Sequence, residues 1–169
     1  EFGSVVMMTE ADWSIAAEPA IPQDYPKPIR HLSASDGSTL NLGRTRLRFF
    51  QTPGETPGVL STRFTVYDNG YPHEAFLFGG ADLNFAGIQQ TELYINSVER
   101  LMQLEGIEVN IPNHPEFGEV FERYESLRER EDGDFHPFVD PESWDAWLEI
   151  LMLNAKAKLE RERLVNYNL

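Results

Sequence analysis

The sequence predicts an α+β (mixed α/β) protein in which β-hairpins form one sheet and helices pack on one of its faces. Three observations carry this. Apolar runs with a period of two, joined by turn residues, fill the first half of the chain; runs with helical spacing fill the second; and one short apolar strand separates two of the helical runs. At 169 residues the chain is long enough for one domain with a real core, and 41% hydrophobic with 12% aromatic content excludes collagen-like, mucin-like or largely disordered classes.

Glu1-Phe2-Gly3-Ser4 read like the translation of restriction sites joining a tag to an insert, so a single domain is expected over 5–169. Val5-Val6-Met7-Met8 is a short apolar run with no lead-in, either a chain entered in the middle of a strand or a natural start at Met7 or Met8. Pro19, Pro22, Pro26 and Pro28 forbid a long helix and predict a surface connection. After the Asp36-Gly37 turn, Leu40, Leu42, Leu47 and Phe49 alternate around Gly43-Arg44, the pattern of a hairpin with one buried face. Two Pro-Gly pairs make Gln51 to Gly58 a stiff loop. Asp68-Asn69-Gly70 between Val59–Tyr67 and His73–Phe78 predicts a second hairpin.

From about Ile88 to Leu104, Tyr94, Ile95, Val98, Leu101 and Met102 recur at helical spacing, with Gly106 as the stop. Ile107 to Ile111 reads as a buried strand ending at Pro112-Asn113-His114-Pro115. Phe117, Val120, Phe121, Tyr124 and Leu127 predict the apolar face of a second helix, with Glu119 and Arg123 paired on its outside. Asp140-Pro141-Glu142 is a helix start, and Trp144, Trp147, Leu148, Leu151 and Ala155 mark the buried face of the last helix. The two tryptophans could line a groove, but aromatic residues three apart on a helix are usually core.

With 14 Lys+Arg against 28 Asp+Glu the net charge is −14, so nucleic acid and anionic membranes are repelled and neither is an expected partner. The absence of cysteine excludes disulfides, thiolate metal sites and Cys nucleophiles. No apolar run approaches the roughly 20 residues of a membrane span and no basic-then-apolar leader opens the chain, so a soluble protein is expected, its compartment open.

The four histidines are widely spaced, without His-x-His or His-Glu-x-x-His, so local spacing defines no metal site. His114 stands out because it follows a predicted strand inside a Pro-bounded loop, although it could simply cap the next helix. Glu55 sits at the crest of the double Pro-Gly loop, as a definite pointer or as an exposed turn carboxylate. Asp82 follows a strand and two glycines, within reach of a site or serving as a cap. The glycines lack a phosphate-binding context, and neither a nucleophile elbow nor a calcium-loop spacing is present.

Thr52-Pro53-Gly54-Glu55-Thr56-Pro57-Gly58 resembles the Thr-Pro-Gly-His-Thr-Pro-Gly loop of the metallo-β-lactamase superfamily, whose histidine binds zinc. The landmarks that follow keep that family's order: the strand ending Phe78-Gly79-Gly80, the strand ending Asn113-His114-Pro115 and the final amphipathic helix. Met8-Thr9-Glu10-Ala11-Asp12-Trp13 and His136-Pro137-Phe138-Val139 are similar to features of the subclass B3 branch. The similarity runs from Val5 to about Arg163. The family's His-x-His-x-Asp-His cluster is missing, so this chain looks like the C-terminal half of an αββα sandwich.

The resemblance implies that His114 matches the last zinc histidine, that Glu55 replaces the loop histidine, and that the place of the bridging aspartate is taken by Ala81, with Asp82 one step on. His114, Glu55 and Asp82 are therefore the candidate metal ligands. With His114 and Glu55 counted as two, zinc belongs to the complete family and this chain alone is expected to bind none, and so to hold no catalytic zinc. Two readings follow: the C-terminal part of a zinc hydrolase acting on β-lactams, lactones or esters, inactive alone, or a non-catalytic pairing module. The expected partner is a second copy, bound through the sheet face that the absent half would cover, or a missing N-terminal half. Leu40, Leu42, Leu47 and Phe49 are expected on that face.

Overall fold

The computed structural model describes residues 3–18 and 27–167. Pro19, Pro22 and Pro26 of the expected connection, and Glu1-Phe2, lie outside the described residues. Strand β1 (Met7–Thr9) leads directly into helix α1 (Glu10–Ala17), and β2 (Leu32–Ala34) pairs parallel with β1. Neither α1 nor β2 stands out from the sequence pattern. Thr9 starts the helix by accepting the Asp12 N–H at 3.3 Å, and Trp13 is the one buried residue of α1, its indole N–H donating to the Leu32 carbonyl.

The main sheet has five strands in chain order: β3 (Thr39–Leu42), β4 (Thr45–Gln51), β5 (Leu60–Asp68), β6 (Tyr71–Phe78) and β7 (Val109–Pro112). Both expected hairpins form. Asn69 (φ 48°) and Gly70 (φ 86°) are both left-handed, as a two-residue turn between right-twisted strands requires. Strands β3 to β6 are antiparallel; β7 joins β6 in parallel, reached through helix α2 (Ile88–Leu101). As a result β4, β6 and β7 run in one direction and end at the same edge of the sheet.

After β7 come a 3₁₀ turn (Pro115–Gly118), α3 (Val120–Arg128) and the long α4 (Pro141–Tyr167). Asp140 caps α4, accepting the Ser143 N–H at 3.2 Å. One face of the sheet, through Phe50, Phe76 and Phe78, packs against Tyr94, Ile95, Val98 and Leu101 of α2 and Trp144, Trp147, Leu148 and Leu151 of α4. Trp144 lies against Phe76 with ring centroids 5.2 Å apart, and Trp147 meets Phe78 edge-on at 5.9 Å, so the tryptophan pair is core.

The helical expectations need three corrections. Helix α2 stops at Leu101, because Met102 to Leu104 turn out before Gly106 is reached. The helix expected from Phe117 is broken at Glu119, whose left-handed φ of 52° separates the 3₁₀ turn from α3. Phe121 and Tyr124 are exposed, and Arg123 is turned inward, donating to the Pro137 carbonyl and to Asp140 as well as lying 3.8 Å from Glu119.

The opposite sheet face is apolar too. Across the strands it presents Leu40 beside Leu47, the row Phe49, Thr62, Leu77, Ile111, and the row Phe64, Ala75, Val109. None of these joins the buried cluster under the helices. Leu40, Leu47, Phe64, Leu77 and Ile111 remain partly exposed and Leu42 is exposed, whereas Phe49, Ala75 and Val109 are buried, Phe49 contrary to expectation.

Candidate metal centre and its relatives

Glu55, Asp82 and His114 lie just beyond the C-terminal ends of β4, β6 and β7, the three strands that share a direction. The turn of each strand end therefore projects its side chain over the same sheet edge. One ligand atom from each residue lies within 4.8 Å of the other two, and among the described residues they form the one such group of His and acidic side chains. Two ligands at 2.0–2.2 Å from a tetrahedral ion are about 3.4 Å apart, so small side-chain rotations would close the three onto one ion.

The residues present fit a metal ion. Glu55 Oε1 is buried and has no hydrogen-bond partner, an arrangement that disfavours a carboxylate left to itself. Burial pushes the Glu55 carboxyl above its ordinary value; the neighbouring His114 opposes the rise and Asp82 adds to it. His114 occupies the N-cap position of the 3₁₀ turn, but its side chain makes no cap hydrogen bond; its ring meets Phe117 edge-on at 5.6 Å, and its Nδ1 lies 3.8 Å from Glu116 Oε1. Asp82 accepts the Leu83 N–H at 2.7 Å through Oδ1, a local bond that leaves Oδ2 for a ligand.

The three turns are cross-braced. Ser61 Oγ is 2.7 Å from Thr52 Oγ1 and accepts the Gly79 N–H at 3.0 Å, linking the Glu55 loop to the Asp82 turn. Asn113, next to His114, accepts the Ala81 N–H and donates to the Gly79 carbonyl, linking the His114 strand end to that same turn. Tyr94 donates its phenol to the Ala81 carbonyl at 3.0 Å, and its ring lies so close to Gly54 that a Cβ there would be 2.9 Å from it. From α2, Gln90 and Ser97 donate to the carbonyls of Gly54 and Pro53. From the N-terminal segment, Thr9 donates to the Gly58 carbonyl and Asp12 accepts the Gly58 N–H.

All three sequence candidates thus come together, with Asp82 beside His114 and Glu55. None of these braces is visible in the sequence: the Thr-x-x-Asp spacing of Thr9 and Asp12 signals at most a helix start, not their hold on Gly58.

No protein-family model matches the sequence, and no curated protein matches it. Solved structures do resemble the fold. A subclass B3 metallo-β-lactamase of Bradyrhizobium japonicum superposes with a TM-score of 0.80 at 22% identity, over 96% of this chain and 66% of its own. The metallo-β-lactamase of Legionella gormanii gives 0.83 at 20% identity, over 95% and 66%. A subclass B3 enzyme isolated from a soil metagenome library gives 0.78 at 18% identity, over 96% and 67%. The chain spans about two thirds of the length of these structures. Over nearly its whole length, then, this chain has the metallo-β-lactamase fold, as part of that fold and not the whole of it.

Proposed function

We propose that this chain supplies one side of the metal centre of a metallo-β-lactamase-like hydrolase, with Glu55, Asp82 and His114 as its donors. The observation that carries the reading is the convergence of three ligand atoms within 4.8 Å at one sheet edge, one of them from a carboxylate with a buried, unpartnered oxygen. Histidine nitrogen and carboxylate oxygen are donors that zinc accepts, and such an ion, when bound, supplies Lewis acidity and lowers the pKa of a bound water. The chain's own residues hold the donors in register through Ser61, Asn113 and Tyr94.

Against the expectation from two ligands, the nearby Asp82 supports a third donor, so that alone the chain binds such an ion but does not turn substrate over. Its three donors are each only partly buried, so bulk water reaches them, and a dry, shaped cavity is what lets an ion's charge act strongly on a substrate. β-Lactams, lactones and esters are the substrate classes proposed for the complete protein. Zinc titration by calorimetry, followed by assays with a chromogenic cephalosporin and a simple lactone, tests both statements. Saturable zinc binding lost in His114→Ala, with no chelator-sensitive turnover, is the expected result. Zinc binding unaffected by His114→Ala removes the metal reading, and turnover abolished by a chelator and by His114→Ala removes the inactivity.

The apolar sheet face favours a second reading, a non-catalytic module that pairs through Leu47, Phe64, Leu77 and Ile111 with another copy or with a missing N-terminal half. Faces of this kind are seldom left uncovered on monomers.

A further inference from the structure

Gly58 closes the loop that carries Glu55, and it is held from outside the sheet. The hydroxyl of Thr9, a residue only 3% exposed, donates to the Gly58 carbonyl at 2.9 Å, and the Asp12 carboxylate accepts the Gly58 N–H at 3.1 Å. Both polar groups of one peptide residue are thus taken by the first turn of α1, 46 and 49 residues earlier in the chain. The approach is so close that a Cβ on Gly58 would lie 2.0 Å from Thr9 Oγ1 and 2.4 Å from Asp12 Oδ1, so only glycine fits. Thr9 Oγ1 also accepts the Asp12 N–H, so the helix cap and the loop clamp are one network.

Pro53 and Pro57 stiffen the loop from within, but a stiff loop still pivots about its ends. Its start is tied by Thr52 to Ser61, and its end by Thr9 and Asp12. Glu55 stands between these ties, three residues from Gly58.

We propose that Thr9 and Asp12 are positioning residues for the metal centre: by gripping Gly58 they hold the Glu55 carboxylate within reach of His114 and Asp82. The inference rests on the proposed metal reading. A positioning role differs from a merely structural one in that it governs ligand geometry, and groups that support metal ligands typically change affinity roughly 10- to 100-fold when removed.

The test compares Asp12→Ala with Asp12→Asn, and Thr9→Val with Thr9→Ser, in the full chain. Asn and Ser keep an oxygen that can accept or donate as the native residue does, whereas Ala and Val do not. Zinc affinity is measured by calorimetry, hydrogen exchange of the Gly58 amide by NMR, and the melting temperature alongside. The expected result is zinc affinity about tenfold weaker in Asp12→Ala and Thr9→Val, restored in Asp12→Asn and Thr9→Ser, with faster Gly58 exchange in the first pair only. Native-like zinc affinity in Asp12→Ala overturns the proposal. So does an affinity loss that follows the melting temperature equally in all four variants. If the unaltered chain binds no zinc, the metal reading fails and the positioning role with it, while Gly58 exchange still reports whether the clamp exists.

Discussion

Arg130 grips Asp68 with two parallel hydrogen bonds, Nη1 to Oδ1 at 2.9 Å and Nη2 to Oδ2 at 2.7 Å, tying the loop after α3 to the tip of the β5–β6 hairpin. The same guanidinium donates to the Asp134 carbonyl, so it fixes its own loop and the hairpin together. The hydrogen bond from Arg130 is the main reason the Asp68 carboxyl sits below its ordinary value, burial acting the other way and the Arg130 charge adding to the lowering.

A pH prediction follows from the sign of that shift. A carboxyl that is more acidic folded than unfolded stabilises the protein fully above the unfolded value, near pH 4, and that stabilisation is lost as the pH falls through the folded value. Asp68→Asn should therefore melt below the unaltered chain at neutral pH, and the gap should close in acid. Melting curves between neutral pH and about pH 2 test this; a gap that stays constant with pH would contradict it.

Replacing Trp144 by Ala should cost about 3–5 kcal/mol, because the indole is 2% exposed and wedged between Phe76 and Trp147. Trp144→Phe should cost clearly less. Its ring keeps much of the contact, and the substitution removes an indole N–H that is buried without a partner. Denaturant midpoints of the two variants decide the order, and a Phe variant as unstable as the Ala variant would contradict it.

Tyr94→Phe should destabilise by about 1–3 kcal/mol, since the buried Ala81 carbonyl loses its phenol donor. The effect should also reach the Asp82 turn. Amide shifts at Ala81 and Asp82 that exceed those elsewhere are the expected NMR signature, and a change confined to α2 would argue against the coupling.

Association through the apolar sheet face should strengthen with salt, because a net charge of −14 on each copy opposes contact and is screened within about 10 Å at 0.1 M salt. Light scattering over a salt series should show mass rising above 19.4 kDa, and Leu77→Asp should hold the chain at monomer mass. A monomer at every concentration and ionic strength would remove the proposed pairing of copies through Leu47, Phe64, Leu77 and Ile111.

The sequence by itself determined the local elements whose cause is local. Asn69-Gly70 specifies its hairpin because both positions take positive φ, and Asp140-Pro141 specifies the start of α4 because the carboxylate caps and the proline needs no donor. The spacing of Trp144, Trp147, Leu148 and Leu151 declared a buried face for the same reason. The loop motif and the Asn-His-Pro strand end likewise marked Glu55 and His114 as candidates. Where burial depends on what lies opposite, the pattern misled: Phe121 and Tyr124 have helical spacing but face solvent, since Glu119 turns the chain and Arg123 takes the inner position toward Asp140. Only the tertiary structure decided that Asp82 joins Glu55 and His114, because that meeting depends on β4, β6 and β7 running in one direction and ending together. The clamp of Thr9 and Asp12 on Gly58 belongs to the same class, for contacts across 46 and 49 residues arise from the path of the chain and leave no periodic trace along it.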